Sequence, residues 1–186
     1  MPRFFTGEVD GRSAVITGED ARHIALSLRM KPGEPLTVCD SAGHDYQCVV
    51  EAVDPGRVDL RVEAVAPSAG EPGVEITLYQ ALPKGDKLEM IVQKAVELGV
   101  GRIVPVLTRR CVSRPDEKSM KKKLERLNRI ALEAAKQCGR GRVPPVEPLV
   151  GFEEAVARMK ESPLGIFFYE NADESLKSVL SRRLGG

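Results

Sequence analysis

The sequence predicts an α/β chain in two parts: a small β-barrel over residues 1–68, and a parallel sheet layered with helices over residues 73–186. Three observations carry this. Residues 1–66 hold short valine-rich runs separated by Gly, Pro and Asp turn signals. The stretch APSAGEPG (66–73) has the small-residue, Pro/Gly composition of a linker. Beyond it, apolar runs alternate with segments of helical period, and strict strand–helix alternation implies parallel strands with helices on their faces.

In the first part, SAVITG (13–18), PLTVCD (35–40), YQCVVEAV (46–53) and RVDLRVEAV (57–65) read as strands, with DPGR turning between the last two. GEDARHIALSLRM (18–30) reads as one short helix, with Glu19 or Asp20 near its start and KPG ending it. Several short strands and one helix in so few residues suggest a small barrel. In the second part VEITLYQAL (74–82) is a buried type of strand and KGD turns the chain. Asp86 and Glu89 have capping-box spacing. Leu88, Ile91, Val92, Ala95, Val96 and Gly99 share one helix face, with Gly99 where a left-handed terminus is wanted. RIVPVLT (102–108) is the next strand. A helix over 117–138 follows, its apolar stripe being Met120, Leu124, Leu127, Ala131, Ala134 and Cys138. Then come VPPVEPLV (143–150), a helix at 152–160, the apolar strand LGIFFY (164–169) and a helix from 173.

Composition narrows the function. No run of about 18 apolar residues exists, which excludes a membrane-spanning helix. The opening MPRFFTGEVDGR lacks the apolar core of a signal peptide, so a cytoplasmic protein is expected. Cys39, Cys48, Cys111 and Cys138 form no C-x-x-C pair and the only histidines are His23 and His44, which argues against a metal site and a disulfide framework; the thiols are expected to be buried or idle. Residues 109–142 carry 12 basic and 4 acidic side chains, more positive charge than a salt-bridged surface requires, and a polyanionic partner follows. Neither G-x-G-x-x-G nor G-x-x-x-x-G-K-[ST] is present, so the phosphate-cradling glycines of dinucleotide and NTP sites are missing, which together with the basic segment disfavours a small-molecule enzyme. Ligands of parallel sheets gather beyond the carboxyl ends of the strands. That places QALPKGD (80–86), TRRC (108–111) and YENA (169–172) at one rim.

LYQALPKGDKLEMIVQKAVELGVGRIVPVLTRRCV, followed by RLNRIALEAAKQCGRGRVPPV, resembles the RsmE family of 16S ribosomal RNA methyltransferases. RFF at 3–5 and HIALSLRM at 23–30 are similar to the motifs of that family's amino-terminal half. The resemblance implies a PUA-like barrel, then a SPOUT domain with a trefoil knot, and a homodimer paired through that domain. It also implies methyl transfer from S-adenosylmethionine to N3 of one uridine in 16S RNA of the 30S subunit. Family members continue with an I-G-P-E-G-G-F loop and an L-G-x-R-I-L-R-x-E-T-A segment, whereas this sequence ends SVLSRRLGG. The expectation is a SPOUT-type domain incomplete at its C-terminus. The alternative is an RNA-binding or ribosome-assembly protein that has lost the methyl-donor site.

Carried over onto matching positions, the resemblance implies RNA contacts from Arg3, His23, Arg29, Lys84, Arg109, Arg110, Gln137 and Arg140, with Arg3, His23 and Arg29 alternatively bracing the barrel. Gln137 and Arg140 are expected at the same rim as Lys84. Glu97 is expected to orient loop backbone or an arginine. Leu82, Tyr169, Glu170 and Asn171 are expected along the cofactor pocket. Methylating N3 of uracil requires removal of its proton and stabilisation of the charge on O2 and O4, and Arg110 is the candidate stabiliser. No residue is assigned as the base.

Overall fold

The computed structural model describes residues 1–184. Alternating valines and a parallel edge strand build the first sheet, in the order β1-β3-β4-β5-β2. Its strands are β1 Arg3–Phe5, β2 Ser13–Thr17, β3 Pro35–Cys39, β4 His44–Asp54 and β5 Arg57–Pro67. β1 lies parallel to β3 and the other pairs are antiparallel. Residues 6–9 tie the two edge strands: the Thr6 hydroxyl donates to the Val15 carbonyl (2.8 Å), and the Val15 N–H to the Glu8 carbonyl (2.8 Å). Two register shifts in the β4–β5 ladder bend the sheet around a core of Phe4, Ile16, Ile24, Leu36, Val38, Val50, Val58 and Leu60. Burying each such side chain contributes about 1.5–3 kcal/mol.

The helix expected over 18–30 is shorter and changes pitch. α1 (Gly18–Arg22) runs into a π-type turn at His23–Leu28, and Arg29 ends it in the left-handed conformation at φ 53°. Arg29, rather than the KPG that follows, is the terminator. β1 has only three residues and no alternation to betray it.

The second sheet, β6-β7-β8, is wholly parallel, with β6 Thr77–Ala81, β7 Arg102–Leu107 and β8 Val150–Gly151. α2 (Lys87–Glu97) follows β6 and buries Leu88, Val92 and Val96. Gly99 turns left-handed beyond it at φ 94°, as its position demands. α3 (Glu117–Cys138) follows β7 and buries Met120, Leu127, Ala131, Ala134 and Ala135, the last four in one core with Leu88, Val92 and Val96 of α2. The Asp116 carboxylate caps α3 by accepting from the Ser119 N–H (2.7 Å). Asn128 mimics a strand: its side-chain amide exchanges two 3.0 Å hydrogen bonds with the Val146 backbone, fixing α3 to the segment before β8. α4 (Phe152–Lys160) and α5 (Leu176–Leu184) complete the order.

Three expectations fail here. The capping box at Asp86 does not form: the Asp86 side chain caps nothing, while the Glu89 carboxylate reaches across to Arg126 of α3 at 2.7 Å. Leu164–Tyr169 is not a strand, and Phe167 and Phe168 are 65% and 76% exposed. A strand needs a neighbour for its backbone groups, and two-residue β8 offers almost no edge. Cys138 ends the apolar stripe on the surface, whereas the other three cysteines are buried.

The linker is stitched down. Ser68 is buried and its hydroxyl donates to Asp45, while Asp45 also holds Arg3 bidentately at 2.8 and 2.7 Å. Glu71 accepts from the Arg140 guanidinium (2.8 Å) and from the N–H groups of Gly141 and Arg142 (3.0 Å each). Arg140 is 4% exposed, and its guanidinium also donates to the carbonyls of Val96 and Val100 beyond the end of α2. Lys136 adds a further link to Asp20 of α1 at 2.8 Å. Residues 66–73 therefore fix the barrel against α2 and α3.

Candidate functional site

The carboxyl ends of β6 and β7 lie side by side, and the Leu82 N–H donates to the Val106 carbonyl at 3.0 Å just beyond the paired residues. Leu82 is buried, and the chain then rises through Pro83 to exposed Lys84. Gly85 at φ 70° makes the turn into α2, a conformation a side chain would resist. From β7, Thr108 leads to Arg109 and Arg110, both exposed and neither paired with a carboxylate among the described residues.

Cys111 shapes this second loop. Its sulfur accepts from the Thr108 N–H (3.3 Å) and lies 3.2 Å from the Thr108 hydroxyl, closing the turn that presents the two arginines. Burial pushes the Cys111 thiol up, but the Thr108 hydrogen bonds and the backbone of Leu82 hold it below its ordinary range. The Arg114 guanidinium donates to the carbonyls of Thr108 (3.4 Å) and Arg109 (3.2 Å), bracing the loop from outside. The sequence places Thr108 and Cys111 at the rim as part of TRRC but marks no role for either, and nothing in it singles out Arg114. The Thr-x-x-Cys spacing in TRRC is the available signal, since a side chain three residues on can fold back onto the turn.

The other expected residues divide between places the sequence could not distinguish. α2 and α3 both begin at the rim and run away from it, so Gln137 and Arg140 lie at the opposite end from Lys84 and Arg110. Arg140 is a buried tie between the two halves and faces no open rim. Gln137 is exposed on a groove of about 760 Å³ between the barrel and α3, shared with Arg3 and His23. Glu19, Asp20 and Glu133 line that groove as well, which makes it a poor phosphate site. Arg3 does what the bracing alternative required: Asp45 holds it, and its side chain is 19% exposed. His23 is exposed, its ring tilted against Phe4 at 6.4 Å. Arg29 is exposed at the helix terminus.

Among the described residues Glu97 orients neither loop backbone nor arginine. Its carboxylate accepts from Gln93 (3.0 Å) and Lys94 (2.7 Å) of its own helix. Tyr169, Glu170 and Asn171 lie in an exposed irregular segment, where the Asn171 amide donates to the Tyr169 hydroxyl at 2.9 Å. The same segment's Phe167 edges a shallow cavity of about 470 Å³ against Val156 and Met159 of α4. Among the described residues no cluster of His, Cys, Asp and Glu could hold a metal, and no helix is long and apolar enough to cross a membrane.

Residues 70–184 match the RNA methyltransferase domain, and residues 16–63 match the RNA methyltransferase PUA domain. The chain is 35% identical to ribosomal RNA small subunit methyltransferase E of Bacillus subtilis over 86% of its length, and spans 62% of that relative. Its identity to the protein of the same description from Mycobacterium bovis is 30%, covering 94% of this chain and 68% of the relative. The fold superposes on ribosomal RNA small subunit methyltransferase E from Neisseria gonorrhoeae bound to S-adenosyl methionine, with TM-score 0.76, 32% identity, and 86% of this chain and 66% of that one covered. A Legionella pneumophila protein described as a methyltransferase and solved with bound SAM gives TM-score 0.80 at 29% identity, covering 94% of this chain and 73% of that one. The barrel is thus PUA-type and the parallel sheet that of an RNA methyltransferase, and the chain belongs to the ribosomal RNA small subunit methyltransferase E family.

Proposed function

We propose that this protein transfers a methyl group from S-adenosylmethionine to N3 of one uridine in the 16S RNA of the small ribosomal subunit. The observation that carries the reading is the rim itself. Lys84, Arg109 and Arg110 stand exposed beyond the carboxyl ends of β6 and β7, none paired with a carboxylate among the described residues, in a chain of this family. Residues 1–68 act as the RNA-binding barrel and 73–186 as the methyltransferase domain, the last two residues lying outside those described. His23 and Arg29 on the barrel extend the RNA contact away from the rim.

At the reacting base, Arg110 offsets the charge that develops on O2 and O4 as the N3 proton leaves; such preorganised donors contribute more in a water-excluded site than in water. Lys84 and Arg109 hold flanking phosphates, Arg109 by the two-pronged geometry that suits a guanidinium. S-adenosylmethionine, when bound, supplies the methyl group as a sulfonium. Of the residues assigned to it, Leu82 gives a buried apolar floor, whereas Tyr169, Glu170 and Asn171 are open to solvent. A ligand of that size needs most of its surface enclosed.

The protein pairs as a homodimer through the methyltransferase domain and works in the cytoplasm; light scattering at micromolar concentration that gave a monomer would remove the pairing. The deciding assay mixes the purified protein, small-subunit RNA particles and S-adenosylmethionine labelled in its methyl group. Label eluting at 3-methyluridine after digestion supports the reading. RNA binding without transfer would favour the alternative, an assembly protein that has lost its methyl-donor site.

A further inference from the structure

The basic segment 109–142 divides into two sets that behave differently. Arg126 is paired with Glu89, Lys136 is shared by Asp20 and Glu133, and Arg140 is buried on Glu71, so these charges are spent within the fold. Lys118, Lys121, Lys122 and Arg129 are exposed and pair with no carboxylate among the described residues. At 3.6 residues per turn, Lys118, Lys122 and Arg129 share the face of α3 opposite Met120, Leu127 and Ala131, interrupted only by Glu125. They extend over a length of about 16 Å. That face is continuous in the chain with the loop carrying Arg109, Arg110 and Arg114.

For folding alone this is a poor arrangement. Lys118 sits in the first turn of α3, where the helix dipole favours anions, and repels Lys121 and Lys122 at i+3 and i+4. A polyanion laid along the face would neutralise all three conflicts together. An anionic membrane fits less well, because a surface-bound helix must offer lipid its apolar side, and that side of α3 is buried against α2. We propose that the outer face of α3 at Lys118, Lys122 and Arg129 is a backbone clamp, taking phosphates of the substrate RNA that flank the nucleotide held at the rim. The proposal rests on the reading of this protein as an RNA methyltransferase and adds a second contact surface to it.

The test compares Lys118→Gln/Lys122→Gln/Arg129→Gln with Arg109→Ala/Arg110→Ala, titrating a small-subunit RNA fragment across a range of salt and recording thermal melting of each protein. Three lost phosphate contacts should lower the slope of log affinity against log salt by about 2–3 and weaken binding about tenfold or more at low salt. The melting temperature of the triple variant should hold or rise, since repulsion is removed. Lys118→Arg/Lys122→Arg/Arg129→Lys should bind as the parent does. An unchanged slope in the triple variant, with weakened binding in the rim variant, would overturn the clamp and leave the RNA reading standing. No change in either variant would remove that reading as well. Weaker binding with a lowered melting temperature, or preference for phosphatidylserine vesicles over RNA, would also overturn the clamp.

Discussion

Replacing Arg140 with Ala separates a tie within the fold from an RNA contact. Its guanidinium is 4% exposed, holds Glu71 at 2.8 Å and covers the carbonyls of Val96 and Val100. Removing one partner of a buried ion pair costs about 3–5 kcal/mol, because the other charge stays buried. Glu71 would keep the N–H groups of Gly141 and Arg142, which places the loss at the lower end, about 3 kcal/mol. For a chain of this size that is a fall in melting temperature of about 6–12 °C, measured by circular dichroism against a surface control such as Lys160→Ala. The pH dependence supplies an independent check. Burial pushes the Glu71 carboxyl up, but the Arg140 guanidinium and the two backbone donors more than offset this and hold it below its usual range. A depressed carboxylate contributes its full stabilisation above its unfolded value and loses it as pH falls through the folded one, so the pair should weaken below about pH 4.5. That part of the acid profile should flatten in Arg140→Ala. A melting temperature within 2 °C of the control (about 0.5 kcal/mol), joined to weakened RNA binding, would refute the reasoning and return Arg140 to the RNA surface.

Arg109→Ala/Arg110→Ala should leave folding intact, weaken RNA binding, and lower the salt slope by about 1–2; an unchanged titration would make these arginines ordinary solvated side chains. In Gly141→Ala the added Cβ would overlap the Ser68 hydroxyl, so the melting temperature should drop although no charge is lost, and a variant as stable as the parent would mean the junction is looser than described. Of the four thiols, only exposed Cys138 should react within minutes with a thiol reagent at pH 8 in the folded protein. Burial pushes Cys39 up to about 12 and Cys48 to about 11, and Cys111 is covered; two or more fast thiols would contradict this packing.

What the sequence made legible was whatever depends on near neighbours in the chain. The stripe on α3 placed that helix at 117–138, the limits it has, and the same periodicity placed α4 at 152–160. Gly99 was legible because only a left-handed terminus explains a glycine there. Pairings between distant residues were not. Glu71 and Arg140 stand 69 residues apart, and nothing local marks a glutamate in a Pro/Gly stretch as the anchor of a buried arginine. Asp86 and Glu89 had the spacing of a cap, but Arg126 of α3 took the Glu89 carboxylate. The run Leu164–Tyr169 has a strand's composition and lacks a strand's partner. The same division runs through the site: the rim cations followed from strand ends, whereas the direction in which α3 leaves the rim decided that Gln137 and Arg140 face elsewhere.

The most direct measurement is the nucleoside content of 16S RNA from cells with and without the gene for this protein, read by mass spectrometry. The account predicts that one 3-methyluridine disappears on deletion and returns when the gene is restored, but does not return with Arg110→Ala. Full 3-methyluridine in the deleted strain would contradict it.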